Sequence, residues 1–348
     1  MERSRRADAV VFGFDFQVNA AIVLFLENIE DVEKICLEGN YEDIELELSS
    51  GKMILAQAKA VEKASSDFVN VRKNLKKALT SLSEAGERVD AKELIVITNS
   101  PNPFNDDKSR NVFYGHAHRN YNTLPPSAKE IVDRYLSKME KPLDTDKLKI
   151  QVLPFETDDE NERYKVIMEC INDFMGNLNI SISGIGRKML ETWHWQVFDN
   201  GGKKDSAIKL TKKDIIWPIL VQITEIEQCE DSFLEQFDSG VYEEVVNRYS
   251  EVINSHCEQC EFFIKILSDY KKQEDKILLA QILDKIEFSK QSEKLNEFIE
   301  IQWKDYISEF AVDGVVEEIQ EALAKIVIHN IIKRRFTIDR IKKGVKLC

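Results

Sequence analysis

A chain of 348 residues with 43% hydrophobic residues is long enough for two cores and too apolar to stay disordered. Its 62 acidic against 48 basic residues leave a net charge of −14, which excludes a protein that coats nucleic acid through many Lys and Arg contacts to phosphate. The same balance does not exclude an enzyme that holds DNA by a local basic surface.

The opening MERSRRADAV is basic, but it runs into a helix-like segment carrying Asp15 and Gln17 and lacks the small-residue cleavage site of a secretory signal. No unbroken apolar run of about eighteen residues is evident, so no membrane span is expected. Six irregularly spaced cysteines suit a reducing compartment, and a cytoplasmic protein is expected. Residues 15 to 30 are densely apolar without alternation and read as a buried helix. Residues 38 to 60 read as a β-hairpin. Ile44, Leu46 and Leu48 alternate with Asp43, Glu45 and Glu47, and Ser49-Ser50-Gly51 supplies the turn. With Ser50 at the turn centre, Asp43 lies across from Gln57, and Gln57 and Lys59 share its face.

A helix over 66 to 86 follows, with Phe68, Val71, Leu75, Leu79 and Leu82 on one side and a basic outer face. ELIVITNS, residues 93 to 100, is a buried strand that returns beside the hairpin by this helical crossover. Pro101 to Pro126 holds four of the seven prolines and reads as a long loop. His116 and His118 lie in it; solvent exposure is the default for loop histidines, and contact with phosphate or metal is the sharper alternative. A helix near Ser127 to Met139, a strand at Leu148 to Leu153 and a helix from about Asp158 to Phe174 complete a first domain, residues 1 to 179. GNLNISISGIG, residues 176 to 186, interrupts the periodicity and marks the boundary. From Arg187 the pattern is helical throughout, so residues 180 to 348 are expected to form an all-α regulatory, oligomerisation and partner-binding domain.

The hairpin residues suit phosphodiester hydrolysis, which needs charge neutralisation at phosphate, an activated water and in-line geometry, although a surface hairpin with solvated polar residues on its outer face is the commoner reading of this spacing alone. Asp43 is the expected metal anchor. Gln57 would ligate through its amide oxygen or orient water, the Ala58 carbonyl would complete the shell, and Lys59 would polarise the nucleophile or stabilise developing charge. An amide in place of a second acid removes a negative charge, so Glu42 and Glu45 are candidate helpers. Lys63, Arg72, Lys73 and Lys76, with Lys77, form a candidate DNA-binding patch, and KRRFTIDRIKKGVK at the C-terminus another; each also suits an ordinary solvated helix face.

GFDFQVNAA (13 to 21), YEDIEL (41 to 46), AQAK (56 to 59), a helix and LIVITN (94 to 99), in that order, resemble the PD-(D/E)xK nuclease superfamily, and more narrowly the double-stranded DNA endonuclease domain of CBASS effectors in its QxK variant. The resemblance covers about the first half of the chain. It implies an α/β restriction-endonuclease-like domain with a mixed central sheet, Mg²⁺ or Mn²⁺ as cofactor, Phe16-Gln17 as the helix-borne pair, and Asp43, Gln57 and Lys59 as the catalytic set. Glu27 is an available helix-borne acid.

A compact nuclease followed by helices resembles the effector subunit of Lamassu and related ABC three-component defence systems. That likeness implies a bacterial antiphage effector held inactive by an SMC-type ATPase subunit and a small third subunit. Release and assembly into a homo-oligomer, a tetramer when active, would let it cut DNA. A non-catalytic scaffold with a nuclease-like fold in such a complex is the alternative. His256, Cys257 and Cys260 have one half of a zinc-knuckle spacing without a second half, and helix packing is the expected role. Trp193, His194 and Trp195 read as core or interface anchors, GIGRK (184 to 188) lacks the context of a phosphate loop, and no Walker GxxxxGK[ST] occurs.

Overall fold

The computed structural model describes residues 3–64, 67–156, 159–205, 207–225, 233–255, 259–284, 291–310 and 315–347. The chain divides into two units, Met1–Ile215 and Ile216–Cys348. The first contains α1 (Arg3–Glu27), β1 (Val32–Leu37), β2 (Ile44–Leu48), β3 (Met53–Lys59), α2 (Phe68–Gly86), β4 (Ala91–Thr98), β5 (Ala117–Asn120), α3 (Pro126–Leu136), β6 (Leu148–Val152), α4 (Glu160–Asn177), α5 (Ile185–Gly201) and β7 (Leu210–Thr211).

The seven strands form one mixed sheet in the order β5-β6-β4-β3-β2-β1-β7. β3, β4 and β6 are parallel and the other neighbours antiparallel. Parallel neighbours need crossovers, and α2 supplies the one from β3 to β4. Met53, Leu55, Leu94, Val96 and Ile150 project from the sheet into a core with Leu75, Leu79 and Leu82 of α2 and Val132 of α3. α1 packs on β1, β2 and β3 and against α4 and α5. A 19-residue stretch of α1, Ala9–Glu27, is long and apolar enough on average to cross a bilayer, although Asp15, Gln17 and Asn19 interrupt it. Most of it is buried as a core helix, with Phe16, Val18, Ala21 and Val23 sealed from solvent.

The hairpin register is the expected one: Ile44 pairs with Ala56 and Leu46 with Ile54. Leu48 N–H donates to the Lys52 carbonyl at 2.9 Å, and Gly51 takes the left-handed φ of 78° that the three-residue turn requires. The face carrying Asp43, Glu45 and Glu47 is not an open row of carboxylates, since α2 packs on that side of β3 and Glu45 is buried. β1, unforeseen in the sequence, pairs with β2 through a break in register between Val32 and Lys34.

The first unit also runs past the expected boundary at residue 179. α5 packs on α1, α4 and β1, and β7 extends the sheet beside β1, which moves the division to Ile215. Gly186 permits the approach of α5 to α4, because a Cβ there would meet Asn172 Oδ1. Trp193 is fully buried and donates from Nε1 to the Ile215 carbonyl at 2.8 Å.

α6 (Lys212–Thr224) leads into the second unit, which is helical as expected: α7 (Ser239–Ser255), α8 (Gln259–Asp284), α9 (Gln291–Tyr306), α10 (Glu317–Lys333) and α11 (Arg335–Gly344). α10 is its centre, with ten consecutive or near-consecutive positions buried from Ala322 to Ile332 and contacts to α7, α8 and α9. Two polar groups inside are paired, Asn330 Nδ2 donating to the Thr224 carbonyl at 3.0 Å and Tyr306 OH to Asp269 at 2.8 Å, while Trp217 Nε1 and Tyr270 OH meet no partner in hydrogen-bond geometry among the described residues.

Candidate active site

Parallel strands β3, β4 and β6 end on one edge of the sheet, where the buried amide of Asn99 fastens their loops together. Asn99 Oδ1 accepts from Val61 N–H at 2.9 Å, and its Nδ2 donates to the carbonyls of Val61 at 2.9 Å and Phe155 at 3.0 Å. Ser100 Oγ adds a bond to the Ala64 carbonyl at 3.1 Å. The candidate residues lie just upstream of this knot.

Asp43 directly precedes β2 and continues its pairing, so its carboxylate reaches across the end of β3. Oδ2 accepts the Ala58 N–H at 3.2 Å and the Lys59 ammonium at 3.0 Å. A residue's N–H and C=O point to the same side of a strand, so the Ala58 carbonyl faces the same gap beyond the end of β2. The Asp43 side chain is 14% exposed and that of Lys59 31%, so the pair is shielded but reachable. Gln57 is buried beside it, and its Nε2 has no partner. A half-turn of the amide places an unpartnered oxygen there instead.

Glu38 completes the cluster and was not foreseen. Its N–H donates to the Asp43 carbonyl at 2.8 Å, extending the β1–β2 pairing by one residue, and its φ is 51°. Its carboxyl is raised above the usual range, first by desolvation and then by the Asp43 carboxylate, while Lys59 and a hydrogen bond from Gln17 oppose the shift. Gln17 therefore enters the site through Glu38. Recognition of β1 would have exposed Glu38, since the Leu37–Ile44 pairing places it opposite Asp43.

Two expected helpers are employed differently. Glu45 Oε1 accepts the backbone N–H groups of Tyr41 and Glu42, so its carboxylate holds the loop before Asp43 and does not face the gap. Glu42 is 5% exposed and neither oxygen meets a partner in hydrogen-bond geometry. Burial pushes its pKa up to about 7; the Ser81 hydroxyl partly opposes that shift and the charge of Asp43 adds to it. An acid whose pKa is raised on folding contributes most stability while protonated, and that contribution is lost as pH climbs from about 4.5 to about 7, by about 3 kcal/mol. Glu42→Gln is therefore expected to raise the melting temperature at pH 8 in EDTA and to leave it nearly unchanged at pH 4.5; thermal scans at the two pH values check this.

Among the basic candidates, Lys63, Lys73 and Lys76 are exposed. Lys73, Lys76 and Lys77 line a shallow cleft of about 450 Å³ together with Glu84. Arg72 is not available to DNA in the same way. Its guanidinium donates to Tyr135 OH at 3.0 Å and the Phe104 carbonyl at 2.8 Å, fastening α2 to α3 and to the loop after β4. In the C-terminal stretch, α11 buries Ile338 and Ile341 and leaves Lys343 and Arg340 exposed.

Glu27 lies ten residues beyond Gln17 on α1, roughly 15 Å along the helix axis, and belongs to a different cluster. Its Oε1 is 3.2 Å from His116 Nε2 and 3.8 Å from His118 Nδ1. The predicted long loop thus contains an edge strand, β5, that carries His118. Asp15 is structural: it accepts from Tyr164 OH at 2.9 Å and meets His194 Nε2 at 2.8 Å. Trp193 is core as expected, whereas Trp195 is 67% exposed and stacks on Phe198. GIGRK opens α5, with Gly184 at its N-cap and Arg187 paired to Glu191 at 3.1 Å, and makes no phosphate loop. His256 and Cys257 lie outside the described residues. No family model, curated protein or solved structure matches the chain.

Proposed function

We propose that the first unit is a metal-dependent endonuclease acting on double-stranded DNA. The observation that carries this reading is the meeting of Asp43, the Ala58 backbone and Lys59 at the open end of paired strands β2 and β3. Carboxylate, carbonyl and amide oxygens are the donors that Mg²⁺ or Mn²⁺ prefers, and Asp43, Ala58 and Gln57 offer one of each, with Glu38 beside them. A bound divalent ion would supply charge neutralisation at the scissile phosphate and lower the pKa of the attacking water.

The chain's own groups do the rest. Lys59, held at 3.0 Å from Asp43, places a fixed positive charge where the phosphorane charge develops. The unpartnered amide of Gln57 can hold a water or turn its oxygen to the ion. Glu38, whose carboxyl retains its proton to higher pH than an ordinary glutamate, can exchange a proton at the edge of the site. Exposed Lys63, Lys73 and Lys76 offer a phosphate-tracking surface despite the acidic whole.

The all-helical second unit and the resemblance of motif order support a wider reading. In it, this is an antiphage effector restrained by an SMC-type ATPase subunit and a small third subunit, and active once released and assembled as a homo-oligomer. The test is supercoiled-plasmid cleavage with Mg²⁺ by wild type and Lys59→Ala, each fractionated by size. Cleavage confined to wild-type assemblies supports the whole reading. Equal cleavage by both proteins removes the site, and no cleavage or metal binding in any assembly state favours a scaffold.

A further inference from the structure

We infer that Glu27, His116 and His118 form a second metal site, for a divalent transition metal of the Zn²⁺ class. The three side chains converge from distant parts of the chain: Glu27 ends α1, and His116 and His118 flank Ala117 at the start of β5. Residues two apart on a strand share a face, so both imidazoles turn to the same side. Glu27 Oε1 stands 3.2 Å from His116 Nε2 and 3.8 Å from His118 Nδ1, and all three donor atoms lie within 4.8 Å of one another. Zinc bonds of about 2.0–2.1 Å at tetrahedral angles put neighbouring ligand atoms roughly 3.3 Å apart. The first separation already has that value, and the second needs about half an ångström of movement by His118, whose side chain is 52% exposed and free to turn.

The surroundings are those of a supported site. His116 Nδ1 lies 3.5 Å from Cys170 Sγ, which orients the ring so that Nε2 is the nitrogen presented to Glu27. Gln151, 2% exposed, sits opposite His118 in the β5–β6 pairing, with its Nε2 3.0 Å from His116 Nε2 and 3.4 and 3.3 Å from the two Glu27 oxygens. An ion at the site would take the His116 nitrogen from that amide, which would keep its hold on the carboxylate. Two imidazoles and one carboxylate select a borderline-soft ion over Mg²⁺, which prefers oxygen throughout. The fourth position would open on a cleft of about 740 Å³ lined by Arg119, Lys149, Asn120 and Thr123. The opposing account is an ion pair of Glu27 with protonated His116, in which His118 has no part.

The experiment is calorimetric titration of the full, chelator-stripped chain with ZnCl₂, together with the visible spectrum of the Co²⁺-loaded protein. Wild type is expected to bind one Zn²⁺ at this site and to give the intense absorption of tetrahedral Co²⁺. His118→Ala and Glu27→Gln should each weaken Zn²⁺ binding by roughly tenfold or more and bleach that absorption, since each removes a ligand. Asp43→Asn should leave both unchanged, which separates this site from the proposed nuclease centre. His118→Ala alters a half-exposed side chain, and its circular dichroism should match wild type. Absence of Zn²⁺ binding by wild type, unchanged binding by His118→Ala, or loss of binding in Asp43→Asn would overturn the assignment.

Discussion

Lys59→Ala should fold normally and lose plasmid cleavage by about 10² to 10³-fold, the usual cost of removing one charge-stabilising donor from an active site. The two halves of that expectation have separate causes. Lys59 is about one-third exposed and its ion pair with Asp43 is near the surface, so its loss should cost the fold roughly 1 kcal/mol or less. The ammonium is also the one described group that brings positive charge to Asp43 Oδ2 within hydrogen-bond distance. In the variant Asp43 keeps the Ala58 N–H, and its affinity for Mg²⁺ should hold or rise because a competing cation has gone. Asp43→Asn should behave differently, losing both Mg²⁺ binding and cleavage. First-order rates of supercoiled-plasmid loss beside calorimetric Mg²⁺ titrations check the pair, and cleavage by Lys59→Ala at the wild-type rate would defeat the assignment.

Asp15→Ala is expected to destabilise the first unit by about 1–3 kcal/mol, the cost of leaving partly buried hydrogen-bond donors without their acceptor. The Asp15 side chain is 13% exposed and joins three helices: Tyr164 and Arg163 of α4, His194 of α5 and Asn19 of its own α1. Without it, Tyr164 OH and His194 Nε2 lose an acceptor in a shielded place. α1 should then sit less firmly on α4 and α5, and Gln17, two residues on, would lose its fixed approach to Glu38. Urea unfolding followed by tryptophan fluorescence, in which Trp193 and Trp195 report on this unit, should show a lower midpoint with little change in slope. Asp15→Asn should fall between the two, since an amide keeps the shape and part of the bonding.

Much of the candidate site was legible because turn chemistry and alternation are local. Ser49-Ser50-Gly51 specifies the turn, the turn sets the register, and the register brings Asp43 to Lys59. What stayed hidden depends on neighbours. VEKICL has a bulge that breaks its alternation, so β1 was unread and with it the place of Glu38. AHRN is a polar edge strand with no apolar face to betray it, and it becomes a strand only by pairing with β6. Glu45 alternates with Ile44 and Leu46 like a solvated carboxylate, yet α2 covers that face and two backbone N–H groups satisfy it. The glycines between 176 and 186 resemble a linker by composition, and only the packing of Gly186 on Asn172 shows that they join two helices of one unit.

The Asn99 amide has a dynamic corollary. The Val61 N–H lies outside any strand, where amide protons ordinarily exchange quickly with solvent, but it is bonded to a buried side chain that also grips the Phe155 carbonyl. Hydrogen exchange at Val61 is therefore expected to be slow, since it requires the N–H to leave the buried amide that also ties the segments after β4 and β6. Opening of the segment after Lys59 is thereby coupled to the segments after β4 and β6 that the same amide holds.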